Sequence, residues 1–125
     1  MILVDSSVWI EHFRFSEPMF AQFDADEQLL IHPFVLGEIS LGRYENRRVL
    51  LKWLGKLMPA VQASDAEVMR LIESQPLFGK GIGYIDAHLL ASVRLTSGAR
   101  LWTRDRRLKA VAEEMEIATI ADTRH

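Results

Sequence analysis

Residues 1–13 read MILVDSSVWIEHF and place a short apolar run directly before a helical pattern. The run at 2–4 predicts a buried strand, and the pattern at 6–13 predicts a helix. Between them stands Asp5, a carboxylate at the end of an apolar run. Because carboxylates are rarely buried without a partner, Asp5 is a candidate functional residue.

Short apolar runs continue to alternate with longer helical patterns along the chain, which is typical of a parallel sheet covered by helices. A length of 125 residues suits one domain. We therefore predict a single α/β domain over 1–125, with a central parallel sheet of about five short strands flanked by about seven helices. The predicted strands lie at about 2–4, 29–32, 60–62, 100–103 and 117–120. The predicted helices lie at about 6–13, 17–25, 33–42, 46–57, 64–75, 84–96 and 105–115.

Helix-start signals support several of these boundaries. Pro33 suits a first helical position. Ser64 followed by Glu67 forms a capping box before VMRLI. Asp105 is well placed as the N-cap of RRLKAVAEEM.

Three further acids stand in or after apolar runs, as Asp5 does. Glu38 interrupts FVLGEISL, Asp86 interrupts GIGYIDAHLL, and Asp105 follows RLWTR. Ligands of open α/β sheets bind outside the carboxyl ends of the strands. Asp5 lies at the carboxyl end of one predicted strand and Asp105 just beyond the end of another, and the other two acids lie near the starts of predicted helices. We expect all four side chains to face one edge of the sheet.

Four carboxylates in one pocket need compensation of their charge. Two of them about 4 Å apart repel by about 4 kcal/mol at an effective dielectric constant of about 20. Either some take up protons, with raised pKa values, or a hard cation lies among them. Oxygen ligands without cysteine or clustered histidine favour Mg²⁺, or Mn²⁺, over Zn²⁺. Asp5 and Asp86 are the best direct ligands, and Glu38 and Asp105 would act through water or hold a second ion.

Each acid also has a purely structural interpretation. Asp105 can be a plain N-cap, and Asp86 can favour a helix N-terminus through the macrodipole. Asp5 can be a turn or cap residue. For Glu38 no capping role is available, so a buried Glu–Arg pair is its structural alternative.

Composition narrows the class of protein. The chain has no cysteine, which excludes disulfides and thiolate metal sites. No apolar run approaches the roughly 20 residues that span a bilayer, and MILVDSSVW carries no secretory signal. We therefore expect a cytoplasmic protein without a membrane partner. The chain lacks the acidic pair and the final Lys that a response-regulator receiver needs. It also has Ser7 where a haloacid dehalogenase-type phosphotransferase needs a second Asp, so both of these classes are disfavoured.

The four acidic motifs, taken in order, resemble those of a PIN-domain ribonuclease. MILVDSSVWIEHF, LGEI, GYIDAHLLASV and LWTRDRRL are similar to the motifs of VapC-type toxins of bacterial toxin–antitoxin pairs. The resemblance covers essentially the whole chain and implies a PIN-like fold. It also implies a Mg²⁺-dependent endoribonuclease that leaves a 5′-phosphate and a 3′-hydroxyl. A small cognate antitoxin and a homodimer are implied as its partners.

The resemblance extends to residues around the acids. Thr103 matches the small hydroxyl residue of the final motif, and Ser6 and Ser7 resemble the hydroxyl pair after the first Asp. We select Ser6 and Thr103 as donors to the carboxylates. Arg43 and Arg104 lie close enough to the motifs along the chain to reach RNA phosphates at the rim of the site.

A catalytically inactive PIN-like module that binds RNA or a protein partner is the alternative function. The presence of all four acids argues against it. Mg²⁺-dependent cleavage of RNA by the wild type, compared with Asp5→Ala, separates the two hypotheses.

Overall fold

A computed structural model describes residues 1–15 and 28–119 of the chain. Its centre is a four-stranded sheet in which every pairing is parallel, in the order β3-β2-β1-β4. The strands are β1 (Ile2–Val4), β2 (Leu29–Ile31), β3 (Met58–Pro59) and β4 (Arg100–Trp102). The predicted α/β class with a parallel sheet is confirmed.

Six helices are seen in the described residues, at the positions predicted for them. They are α1 (Ser6–Phe15), α2 (Pro33–Ser40), α3 (Arg47–Leu54), α4 (Asp65–Ser74), α5 (Tyr84–Leu95) and α6 (Arg106–Glu114). The helix predicted at 17–25 lies outside the described residues. None of the six is long and apolar enough to cross a membrane.

The predicted helix starts are confirmed by their hydrogen bonds. Ser64 accepts from the N–H of Glu67 at 3.1 Å, and the Glu67 carboxylate accepts from the N–H of Ser64 at 2.9 Å. Pro33 occupies the first turn of α2. Asp105 caps α6. Local side-chain chemistry therefore fixes where these helices begin.

Two strand predictions were wrong in detail. The strand predicted at 60–62 lies at Met58–Pro59 instead, on the exposed edge of the sheet. There a proline without an N–H is tolerated, so sequence pattern locates the strand poorly. The strand predicted at 117–120 is, in its described part, a single bridge from Ala118 to Leu101. The left-handed φ of 61° at Glu116 turns the chain sharply just before this bridge.

The core lies on both faces of the sheet. The central strands are fully buried, as expected for a parallel sheet covered by helices. Trp9 of α1 and Trp102 of β4 are its largest fully buried side chains. This packing holds the carboxyl ends of β1, β2 and β4 side by side. The residues that follow them are Asp5, His32 and Thr103.

Candidate active site

Asp5 is the anchor of the candidate site. Its backbone N–H donates to the carbonyl of Trp102 at 2.9 Å, which ties the end of β1 to β4. Oδ1 accepts from the N–H of Ser6 at 2.8 Å. Oδ2 accepts from the hydroxyls of Thr103 at 2.7 Å and Ser7 at 2.9 Å. Asp5 is 6% exposed, and these three hydrogen bonds hold its carboxyl group in one orientation.

Glu38 faces the same edge from α2. Its Oε1 accepts from the hydroxyl of Ser6 at 3.2 Å. Partial desolvation raises the pKa of Glu38, and the negative charges of Asp5 and Asp86 raise it further, against the Ser6 hydrogen bond that lowers it. Within the described residues Glu38 has no arginine or lysine partner. The Glu–Arg pair considered from the sequence is therefore not formed there.

Asp86 reaches the edge from the first turn of α5. Its Oδ2 accepts from the N–H of Gly83 at 3.0 Å, which closes the start of the helix. Burial is the largest cause that raises the pKa of Asp86. The Gly83 hydrogen bond opposes this effect, and the charges of Asp5 and Asp105 add to it. The helix-start role is real, but it accounts for only one carboxylate oxygen.

Asp105 is an N-cap, as its structural interpretation held. Its Oδ1 accepts from the N–H groups of Arg107 and Leu108, both at 3.0 Å. Its own N–H donates to the hydroxyl of Thr103 at 3.1 Å. Asp105 also acts on the pKa of Asp86, so capping and membership of the acidic cluster occur together.

Three of the four carboxylates keep one oxygen for external ligands. In the part of the chain that the structure describes, no hydrogen bond reaches Oε2 of Glu38, Oδ1 of Asp86 or Oδ2 of Asp105. Residues 1–15 and 28–119 contain no group of three or more Asp, Glu, His or Cys side chains that would form a metal cage unaided. An open, oxygen-only set is what Mg²⁺ accepts, since it keeps several waters and uses one or two carboxylates.

Ser7 has a larger structural role than the sequence indicated. Besides its bond to Asp5, its hydroxyl accepts from the N–H of Arg104 at 3.2 Å and lies 3.5 Å from the Thr103 hydroxyl. It therefore joins the end of β1 to the segment before α6. A hydroxyl two residues after a strand-end Asp was the available signal.

His88, which shows no ligand spacing in the sequence, is buried one turn into α5. Its Nε2 lies 3.0 Å from Oδ1 of Asp65, and the Tyr84 hydroxyl donates to the same oxygen at 2.9 Å. These contacts bind the first turn of α5 to the start of α4. They help to hold the helix that carries Asp86.

The two arginines selected for RNA differ in their surroundings. Arg104 pairs with Glu11 at 3.1 Å, and its guanidinium lies 5.7 Å from the centre of the Trp102 ring. Its positive charge is therefore largely compensated by groups of the protein itself. Arg43 is exposed and lines a groove with Phe13 of α1 and the segment before α3. Within the described residues, no hydrogen bond or ion pair joins Arg43 to the acidic edge, which consists of Asp5, Glu38, Asp86 and Asp105.

Comparisons with known proteins agree with this geometry. The PIN domain family matches residues 2–114. Two curated relatives, both named Ribonuclease VapC32 and from two strains of Mycobacterium tuberculosis, are 45% identical over 118 residues, covering 94% of this chain and 95% of each relative. The crystal structure of PAE2754 from Pyrobaculum aerophilum superimposes with a TM-score of 0.68 at 22% identity, covering 98% of this chain and 90% of that one. That last likeness concerns the fold alone. The chain therefore belongs to the PIN domain family, as a member of its VapC group.

Proposed function

We propose that this chain is a metal-dependent endoribonuclease and the toxin of a toxin–antitoxin pair. The observation that carries the proposal is the acidic edge, where Asp5, Glu38, Asp86 and Asp105 are near enough for their charges to interact. Asp5 and Asp86 raise the pKa of Glu38, and Asp5 and Asp105 raise the pKa of Asp86. Membership of the VapC group supports the same activity, since the curated relatives are named ribonucleases. A merely structural edge would have no reason to leave oxygens of three of its acids without partners.

The residues present fit a hard divalent cation. Asp5 and Asp86 are the proposed direct ligands, with Glu38 and Asp105 acting through water or at a second ion. Burial, and after it the charges of neighbouring carboxylates, raise the pKa of Glu38 and of Asp86, and a cation among them would favour their charged forms. When bound, Mg²⁺ or Mn²⁺ would polarise the phosphodiester and make a bound water more acidic.

The chain's own groups then orient the reaction. Asp5 is fixed by three donors, so its carboxylate needs no reorganisation when substrate binds. Glu38, whose pKa is raised, is suited to take a proton from the attacking water. A bond forms between that water oxygen and phosphorus while the bond from phosphorus to the 3′-oxygen breaks, and the 3′-oxygen takes up a proton from solvent water. The products carry a 5′-phosphate and a 3′-hydroxyl.

Removal of divalent cations is expected to abolish RNA cleavage. Because four carboxylates without a divalent ion repel the phosphate and activate no water, the EDTA-treated protein should cut no faster than a buffer blank. Added Mg²⁺ or Mn²⁺ should restore cleavage. The measurement is gel analysis of end-labelled RNA, with the product ends tested by phosphatase and by ligation.

Asp5→Ala prepared in parallel controls for contaminating nucleases. Cleavage that persists in EDTA, or that leaves a cyclic phosphate, would contradict the proposed chemistry. An RNA-binding module without activity would bind RNA equally well as wild type and as Asp5→Ala, and neither would cut it.

Partners complete the proposal. Two chains are expected to form a homodimer in the cytoplasm, and a small antitoxin is expected to neutralise the enzyme. Light scattering should give twice the mass of one chain. Co-expression with the product of the neighbouring reading frame should yield a stable complex that does not cut RNA. A monomer in solution, or full activity in that complex, would remove the corresponding part of the proposal.

A further inference from the structure

The side chain of Arg107 packs directly against Gly81, a residue of the loop that precedes α5. A Cβ atom at Gly81 would lie 2.7 Å from both Cδ and Nη1 of Arg107. Real Cβ atoms show almost no contacts shorter than 3.0 Å, so the Arg107 side chain can occupy this position because residue 81 is glycine. Gly81 also has a φ of 77°, in the left-handed region that glycine favours.

This contact joins the two segments that carry half of the acidic edge. Gly81 belongs to the glycine loop (residues 76–83), which ends where Gly83 bonds to Asp86. Arg107 follows Asp105 by two residues and donates its N–H to it. The guanidinium is thereby seated beside the start of α5 and the start of α6, at the rim of the candidate site.

The charge of Arg107 is available to a ligand. No described residue forms an ion pair with it, whereas two nearby cations do have acidic partners. Lys80 is 2.6 Å from Glu114, and Arg104 is 3.1 Å from Glu11. Arg107 is exposed, and no acidic side chain among the described residues compensates its positive charge.

An RNA strand needs such a cation at this edge. Four carboxylates repel the phosphates on either side of the scissile bond, and this repulsion falls off only over about a Debye length of 8–10 Å at ordinary salt. A guanidinium presents a planar fork that binds phosphate oxygens in pairs. Its seat on Gly81 holds that fork at the rim without an ion pair to the carboxylates.

We propose that Arg107, held in place by Gly81, binds a phosphate of single-stranded RNA next to the scissile one. The inference rests on the proposed function and assigns the substrate contact to Arg107 rather than to Arg104. The contact is to the backbone, so it contributes affinity that does not depend on base sequence.

Binding of a short fluorescent single-stranded RNA of mixed sequence tests the role of the charge. All proteins carry Asp5→Asn so that the RNA stays intact. Arg107→Gln is expected to weaken binding about tenfold at low salt. It should also reduce the slope of log K against log salt by about 0.7, the value for one lost contact to a single strand.

Arg48→Gln, which removes the same charge from α3 near the opposite edge of the sheet, should leave the slope unchanged. Arg106→Gln removes the neighbouring charge on α6. Equal effects of Arg106→Gln and Arg107→Gln would show a diffuse field rather than a seated contact, and would overturn the proposal.

A pair of glycine variants tests the seat itself. Gly79→Ala and Gly81→Ala impose similar backbone strain, because Gly79 has a φ of 75° and Gly81 one of 77°. Only at Gly81 would the new methyl displace Arg107, since nothing lies within 4 Å of a Cβ at Gly79. Gly81→Ala should reproduce the loss of affinity and of slope, add nothing to Arg107→Gln, and differ from Gly79→Ala.

Cleavage in the wild-type background separates this inference from the proposed function. If the wild type cuts RNA and Arg107→Gln cuts it with an unchanged KM, the role of Arg107 is wrong while the nuclease stands. If Arg107→Gln lowers only thermal stability, its contact with Gly81 is structural and the inference is likewise wrong. If the wild type neither binds nor cuts RNA, both proposals fail together.

Discussion

Asp5→Asn is expected to lower the rate of RNA cleavage by about 10³-fold or more, which at 1.36 kcal/mol per factor of ten is about 4 kcal/mol of transition-state stabilisation. The expectation follows from the place of this carboxylate. It is the buried member of the acidic edge, and three donors from Ser6, Ser7 and Thr103 hold it in one orientation. Asparagine keeps the shape of the side chain but loses the charge that a divalent cation requires. Single-turnover cleavage at saturating Mg²⁺ measures the effect.

Two further measurements show whether that loss arises in the site. Mg²⁺ should raise the melting temperature of the wild type, because a ligand that binds only the folded state stabilises it, and should fail to do so for Asp5→Asn. Thr103→Val removes one donor to Asp5 and should cost about 10–100-fold, the usual range for a residue that orients a metal ligand. Near-normal cleavage by Asp5→Asn would show that the catalytic centre lies elsewhere.

Acid is expected to destabilise the fold through His32, which caps α2 from a fully buried position. Its Nδ1 accepts from the N–H of Phe34 at 3.0 Å, a bond that only the neutral ring can make. Burial, and secondly the nearby His88, lower the pKa of His32 to about 4 from the model-peptide value of 6.5. Between about pH 4 and pH 6.5, the unfolded chain therefore binds a proton at His32 that the folded protein does not bind.

The direction of the pH effect follows from this depressed pKa. The stabilising contribution of neutral His32 is fully present above about pH 6.5 and is lost as the pH falls toward about 4. Over that interval the loss is about 3 kcal/mol, a large share of the 5–15 kcal/mol that stabilises a typical domain. Urea unfolding at several pH values between these limits measures it.

His32→Asn is the matched comparison, since asparagine is a good N-cap acceptor that does not titrate in this range. Its lower packing volume reduces stability at every pH, so the pH slope is the quantity to compare. Glu38 and Asp86, with their raised pKa values, act in the opposite direction but equally in both proteins. Identical pH slopes for wild type and His32→Asn would contradict the role given to His32.

The fold was predictable where short-range physics decides it. Periodicity and caps located all six described helices, because side chains such as Ser64 and Asp105 bond to backbone groups two or three residues away. The strands at the sheet edges were predicted less well. Met58–Pro59 and the bridge at Ala118 depend on pairing with distant strands, which their own composition does not specify.

The candidate site divides in the same way. Its four acids stood out because carboxylates inside apolar runs need a reason to be there. The surroundings of their neighbours were harder to predict. Arg104 looked free beside Asp105, yet Glu11 pairs with it. Sequence analysis did not single out Arg107, yet the three atoms nearest to a Cβ built at Gly81 all belong to its side chain.

The amino-acid sequence by itself determined the kind of chemistry available, namely oxygen ligands in a set order along an α/β chain without cysteine. Only the tertiary structure decided, within the described residues, which oxygens are engaged in caps, which remain open and which cations near the site have acidic partners. The reason is distance along the chain. Thr103 and Asp5 are 98 positions apart and hydrogen-bonded, and such contacts arise only after the strands between them have been ordered into one sheet.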